Sequence, residues 1–183
     1  GVLSAYFGGK LDVVIQRIVD TVMAFPWFIM VITIISILGQ GIINLIVTFA
    51  FLMTFSNSRV VRSAVLAIKG NQYIEAAEAM GASHLRIILL HILPNVVAPI
   101  IVIASVNLGR IIITETAMSF LGLGVPPPYP SWGSMLSGDS MRYFDSAAWL
   151  VCFPMLALIL TVFSLNMFGD ALRDVLDPRL RTR

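Results

Sequence analysis

From Thr21 to Ser58 the chain carries no Asp, Glu, Lys or Arg. A helix crossing the roughly 30 Å hydrocarbon core of a bilayer needs about 20 apolar residues, so this one run can hold two crossings. Two further charge-free runs follow, Ile87 to Gly109 and Ala147 to Gly169, the first with an extension through Arg110 and Glu115. Of the 183 residues 58% are hydrophobic and 12% charged, against roughly 45–50% and about 25% in soluble domains. That balance excludes a disordered chain, a basic nucleic-acid-binding domain and an ordinary soluble enzyme, none of which could hide so much apolar surface. A net charge of +2 is too small to imply a polyanionic partner.

The expected fold is all-α: a polytopic membrane helical bundle of four complete spans, at about 18–38, 42–58, 87–113 and 147–169. Residues 1–8 read as the end of an earlier span. The chain opens on apolar residues with no initiator Met and no signal-peptide pattern, which gives the expectation that its amino-terminal portion is missing. Gly39-Gln40-Gly41 with Asn44 supplies the turn between the first two spans. Pro26, Pro94, Pro99 and Pro154 are expected to kink the helices that contain them.

The cations set the orientation, because Lys and Arg concentrate on the cytoplasmic side. Lys10 and Arg17, the 59–86 loop with Arg59, Arg62, Lys69 and Arg86, and the tail with Arg173, Arg179, Arg181 and Arg183 fall on one side of the assigned spans. The opposite side holds only the 39–44 turn and the 121–146 loop with Arg142. The 59–86 loop and the carboxy terminus are therefore expected to be cytoplasmic.

Catalytic patterns fail one by one. Cys152 is the single cysteine, so there is no cysteine-cluster metal site. His84 and His91 are seven apart, whereas zinc sites of the H-E-x-x-H type need a spacing of four and an intervening Glu; they read as structural. Gly8-Gly9-Lys10 is no P-loop, because Ser4 stands at the first glycine position and Leu11 where Ser or Thr would meet magnesium. No G-x-S-x-G elbow occurs. No catalytic residue and no metal ligand is assigned. Arg110 and Glu115 lie late in the third span, where charges are costly and usually face a cavity or a partner. Five residues apart, they do not share a helix face as an i,i+4 pair does, and a pathway or subunit-interface role is expected for them.

The most informative segment is 71–83, Asn-Gln-Tyr-Ile-Glu-Ala-Ala-Glu-Ala-Met-Gly-Ala-Ser. It is a short helix former with Gly81 as its C-cap. Glu75 and Glu78 share one face, and Tyr73, Ile74, Ala77 and Met80 offer an apolar strip on another. A helix this short is unstable alone and makes sense if a partner protein receives it in a groove. Its acidic face argues against lying on an anionic leaflet.

Glu75-Ala76-Ala77, Gly81 and Ile92-Leu93-Pro94 resemble the E-A-A loop of ABC-importer permeases. Within that superfamily the chain resembles the C-type permease subunit of the dipeptide/oligopeptide/nickel group, with the type I, MetI-like transmembrane fold. The resemblance runs in order through Ala5-Tyr6-Phe7-Gly8-Gly9, Arg17 with Asp20, Ala24-Phe25-Pro26, Arg59 to Arg62 and His91 to Asn95. It continues through Glu115 to Gly124, Trp132 to Leu136 and Asn166 to Arg179. Such permeases usually have six spans, and by that resemblance the first span and most of the second are expected to be missing from this sequence.

The resemblance implies that Ile74, Glu75, Ala76, Ala77, Glu78, Met80 and Gly81 form a coupling helix seated in a separate ATPase subunit. It implies two ATPase subunits that bind ATP and magnesium, so that this chain holds no cofactor and is not itself an enzyme. It further implies a homologous B-type permease, the lipid bilayer of a prokaryotic inner membrane, an extracytoplasmic binding protein docking near Pro127 and Trp132, and no nucleic acid. Peptide is the expected substrate, with nickel chelates, glutathione and opines as alternatives within the group. A secondary transporter or channel is the distant alternative outside it; the ionisable residues available to it are Arg110 and Glu115.

Overall fold

A computed structural model describes residues 1–176, and among these every regular element is helical. The expectations that rest on Arg179, Arg181 and Arg183 lie outside the described residues. In chain order the elements are α1 (Val2–Phe7), α2 (Gly9–Met23), α3 (Trp27–Leu38), α4 (Ile42–Lys69), α5 (Gln72–Ala79) and α6 (His84–Ile87). A π-helical turn (Ile88–Ile92) leads into α7 (Leu93–Phe120), followed by α8 (Trp132–Leu136), α9 (Asp139–Arg142) and α10 (Trp149–Leu176).

Three helices are long and apolar enough to cross a membrane: Ile42–Lys69, the joined helix His84–Phe120 and Trp149–Leu176. A fourth crossing exists only if α2 and α3 are counted together as one broken span. The expected continuous helix over 18–38 is therefore replaced by two helices separated at Ala24-Phe25-Pro26. The physical reason is Pro26, which has no N–H to donate and disfavours helical geometry at the residue before it. Its own backbone is extended, with ψ 128°, and its carbonyl accepts the first bond of α3 from Met30 N. Pro26 breaks a helix rather than kinking one. Pro94 sits in the first turn of α7, directly after the π-helical turn, and Pro99 and Pro154 remain inside α7 and α10.

The second helix is also longer than expected, running to Lys69 instead of ending near residue 58. Arg59 and Arg62 are carried inside it because each finds a carboxylate. Arg59 Nη2 lies 2.5 Å from Asp20 Oδ1, and Arg62 donates Nε and Nη2 to the two Asp12 oxygens at 2.8 and 2.5 Å. The fork of a guanidinium matches a carboxylate in this two-bonded way.

The chain divides into two compact units. The first gathers Gly1–Phe25 and Met53–Ile103. Its core is Ala5, Tyr6, Val65, Ile74, Ala77, Ile87, Ile88, Ile92 and Val96. The second comprises Pro26–Leu52 and Ala104–Val175. Within it α7 and α10 meet through small residues, since Gly109 faces the Asn166 amide and Gly169 lies against Ser105. Small residues let membrane helices approach closely where lipid gives no hydrophobic drive. At the 39–41 turn Asn44 Nδ2 donates to the carbonyls of Leu38 and Gly39, at 2.9 and 3.0 Å, occupying acceptors that the end of α3 leaves open. Gln40 Nε2 donates to Gly122 O at 2.6 Å and ties that turn to the end of α7.

Candidate functional site

The E-A-A segment folds as α5. Helix formers fill it, and it ends in a paired-bond closure: Ala82 N donates to Ala77 O at 3.1 Å and Gly81 N to Glu78 O at 2.9 Å. This is the Schellman arrangement, which requires a left-handed residue at the position Gly81 occupies with φ 79°. An eight-residue helix is marginal in isolation, so its order comes from packing. Ile74 is 1% exposed and Ala77 3%, both inside the core of the first unit.

That placement revises the surface this helix can offer. Ile74 and Ala77, expected on the strip presented to a partner, face inward onto their own chain. Glu75, Ala76, Glu78 and Ala79 are exposed, and Met80, directly after the helix, is 81% exposed. An apolar i, i+3 pair reads identically whether its groove belongs to the same chain or to another, which is why the sequence alone assigned it outward. The exposed residues therefore include two carboxylates, two small alanines, the Tyr73 ring and one projecting thioether.

A second anchor was not visible in the sequence. The Tyr6 hydroxyl lies 2.8 Å from His84 Nδ1, and the rings of Tyr6 and Phe7 both meet the His84 ring edge-on. Lys69 Nζ sits 5.8 Å from the Tyr6 ring centroid. Thus α1, the end of α4 and the start of α6 converge in the same core as α5. His91, in the π-helical turn, packs near Tyr73 at 6.4 Å between centroids. The two histidines go to different aromatic neighbours, and no group of three metal-binding side chains occurs among the described residues.

The charges of α2 complete this region. α2 carries Lys10, Asp12, Arg17 and Asp20 in fifteen residues, charges that are costly in hydrocarbon unless partnered. The hydrogen bonds from Arg62, and next that from the buried Ser4 hydroxyl, hold the Asp12 carboxyl down at about 2.

The remaining expected site residues all lie in the second unit. Arg110 and Glu115 are not paired with each other. The Arg110 guanidinium stacks over the Trp27 ring, 4.9 Å from its centroid, while Glu115 Oε1 accepts from the Ser119 hydroxyl at 2.6 Å. Trp132 opens α8, a short helix fixed by a capping box in which Ser131 Oγ accepts from Ser134 N and Ser134 Oγ from Ser131 N. Pro127 is exposed in the segment before it. Glu115 and Trp132 line one common cavity; Pro127 and Arg110 do not.

Two broad regions thus stand out on an all-helical membrane chain: a core-locked short helix with a Schellman end, and a loop folded against the late part of α7. Residues 1–182 match the family described as binding-protein-dependent transport system inner membrane component, and the chain belongs to that family. It is 42% identical over 182 residues to a dipeptide transport system permease protein DppC of Alkalihalophilus pseudofirmus, covering 100% of this chain and 60% of that relative. It is 41% identical over 182 residues to a glutathione transport system permease protein GsiD of Pectobacterium atrosepticum, with the same coverages. It is 40% identical over 176 residues to a GsiD of Escherichia coli, covering 96% of this chain and 58% of the relative. The chain spans about three fifths of the length of these curated relatives.

Proposed function

We propose that this chain is the membrane-embedded part of a permease subunit in an ATP-driven importer of small peptides, with α5 as the helix through which separate ATPase subunits drive it. The observation that carries the reading is the division of α5 into two faces. Ile74 and Ala77 weld it to the core of the first unit, while Glu75, Ala76, Ala79 and Met80 remain exposed. A short helix attached so firmly moves with its own unit, so force applied to its outer face is transmitted into the membrane helices. Met80 is a flexible, polarizable anchor suited to a groove, and the alanines allow close approach around it.

In this reading the 59–86 segment and the carboxy terminus are cytoplasmic, in the inner membrane of a prokaryote, in keeping with the clustering of Lys and Arg. Two ATPase subunits bind and hydrolyse ATP with magnesium, a homologous permease completes the pathway, and an extracytoplasmic binding protein delivers substrate towards the 121–146 loop, near Pro127 and Trp132. Dipeptides are the first substrate class and glutathione, itself a small peptide, the second. The names of the dipeptide and glutathione relatives support both.

The test is reconstitution of the full-length subunit with its partners in proteoliposomes. Met80→Asp should abolish ATP-driven uptake and reduce ATPase co-purification while leaving the permease pair intact, since Met80 buries almost nothing in its own chain. Gly81→Val, which forces a β-branched residue to φ 79°, should do the same by opening the Schellman closure. Normal uptake by both variants would overturn the coupling role of α5.

A further inference from the structure

The second unit contains a cavity of about 720 Å³, within the roughly 300–1,000 Å³ typical of small-molecule sites. Its floor comes from α7, through Ile112 and Glu115, and from the first turns of α4, through Leu45 and Phe49. Tyr129 and Trp132, from the segment after α7, complete the lining. That segment is clamped in place. Gly133 lies so close to the Thr116 carbonyl, and Gly124 to the Ser119 side chain, that a Cβ on either would overlap its neighbour. Thr116 and Ser119 follow Glu115 on α7, one and four residues on, and the capping box of Ser131 and Ser134 fixes the helix that carries Trp132. The carboxyl is held as well, because the hydroxyl of Ser119, a residue only 3% exposed, donates to it.

The chemistry inside is uneven in one direction. Almost the whole lining is apolar, and Glu115 is its one charged side chain. The partner of Glu115 is a neutral hydroxyl, while the ion pairs found among the described residues use Asp12 and Asp20. A negative charge in apolar surroundings attracts a cation more strongly than it would in water, and the faces of Tyr129 and Trp132 attract cations as well. One carboxylate is too few donors for a divalent metal, and an anion would be repelled. A protonated amine that carries an apolar substituent satisfies both halves of the cavity.

From this geometry we infer that the cavity is a binding site for the amino-terminal ammonium and first side chain of a small peptide, with Glu115 accepting from the ammonium. The inference rests on the peptide-importer reading and deepens it, by placing selectivity for a free amino terminus within the permease itself. Ser119 acts as a positioning residue that aims the carboxylate. The other source of the same chemistry is the ammonium headgroup of phosphatidylethanolamine, which the choice of lipid separates.

The experiment uses the assembled transporter without its binding protein, in nanodiscs of phosphatidylcholine and phosphatidylglycerol, titrated calorimetrically with phenylalanyl-alanine. Saturable binding is expected. N-acetylation of the peptide and, separately, Glu115→Gln should each weaken it by roughly tenfold or more, as expected for loss of a charge-assisted hydrogen bond. Glu115→Asp should retain part of the affinity, and Ile112→Trp, which fills the cavity without touching the charge, should also weaken it. Met80→Asp, titrated as the permease pair beside the wild-type pair, should leave peptide affinity unchanged while stopping ATP-driven uptake, so failure of the coupling reading and failure of this site are read on different variants. Equal binding of the free and acetylated peptides would overturn the inference, as would no binding by the wild type. So would loss of binding when phosphatidylethanolamine is added, or loss of the partner permease from Glu115→Gln preparations, which would make the cavity a lipid site or a subunit seam.

Discussion

Two sets of charges, one in each unit, are satisfied in different ways. In the first, Asp12 and Asp20 are answered by Arg62 and Arg59 from distant parts of the sequence, charge against charge. In the second, Arg110 rests on the Trp27 ring and Glu115 on a serine hydroxyl, so both charges keep a neutral partner. Opposite charges that satisfy each other fix a structure and leave little to offer a ligand. A charge supported only by a neutral group is held in position with its field largely unspent. The contrast separates residues that lock the first unit together from a carboxylate and a guanidinium in the second that keep their charge uncompensated.

The largest effect that would break this comparison comes from Asp12. Asp12→Arg should abolish recovery of assembled transporter, by setting two guanidinium groups against each other beside Ser4, and Arg62→Asp on the same chain should restore much of it. Size-exclusion profiles of the two variants decide the matter, and no rescue in the double variant would reduce the pair to a bystander. The pair also has a pH signature. A carboxyl held at about 2, against roughly 3.9 in an unfolded chain, contributes stability that is present above pH 4. That contribution is lost as pH falls through about 2.

A smaller effect is expected at Arg110. Arg110→Gln should cost about 0.5–2 kcal/mol of stability through the lost cation–π contact. Trp27→Leu combined with it should cost less than the sum of the two singles, read as a double-mutant cycle in thermal unfolding. Strict additivity would mean that the stacking carries no energy. The smallest effect belongs to Arg59→Gln. Its pair with Asp20 is nearly half exposed on both sides, so a change of about 0–1 kcal/mol is expected. A larger loss would show that exposed pairs in this unit act as a network.

Much of the fold was legible because membrane helices announce themselves as charge-free runs. What was not legible depended on contacts distant in sequence. The charge at Arg59 suggested a helix end at 58, yet α4 continues to Lys69 because carboxylates 39 and 50 residues earlier accept Arg59 and Arg62. The proline at 26 was visible, but whether it kinks or terminates a helix depends on surroundings that periodicity does not report. At the site, the glycine closure of α5 could be read locally, since Gly81 follows a run of helix formers. The inward direction of Ile74 and Ala77 could not be read, nor could the meeting of Tyr6 with His84 across 78 residues. The cavity beside Glu115 needed Gly124 and Gly133 to press a loop onto α7, and nothing in their spacing announces that.

The π-helical turn at Ile88–Ile92 has a consequence for winding phase. In a regular helix, residues five apart point about 140° away from each other, so Ile87 and Ile92 would not share a face. Both are nevertheless fully buried, together with Ile88 and Val96. The wide turn, closed by Leu93 N bonding to Ile88 O, takes up one extra residue and brings Ile92 back into phase with Ile87. Regular winding with all five residues kept would turn Val96 and Ile100 by about 100° away from the core beneath α5, whereas removing one residue from 88–92 would let the helix wind regularly with both still in phase. This stretch is therefore a phase adjuster: its extra residue is absorbed in the wide turn and is not passed on as a rotation of the helix beyond it.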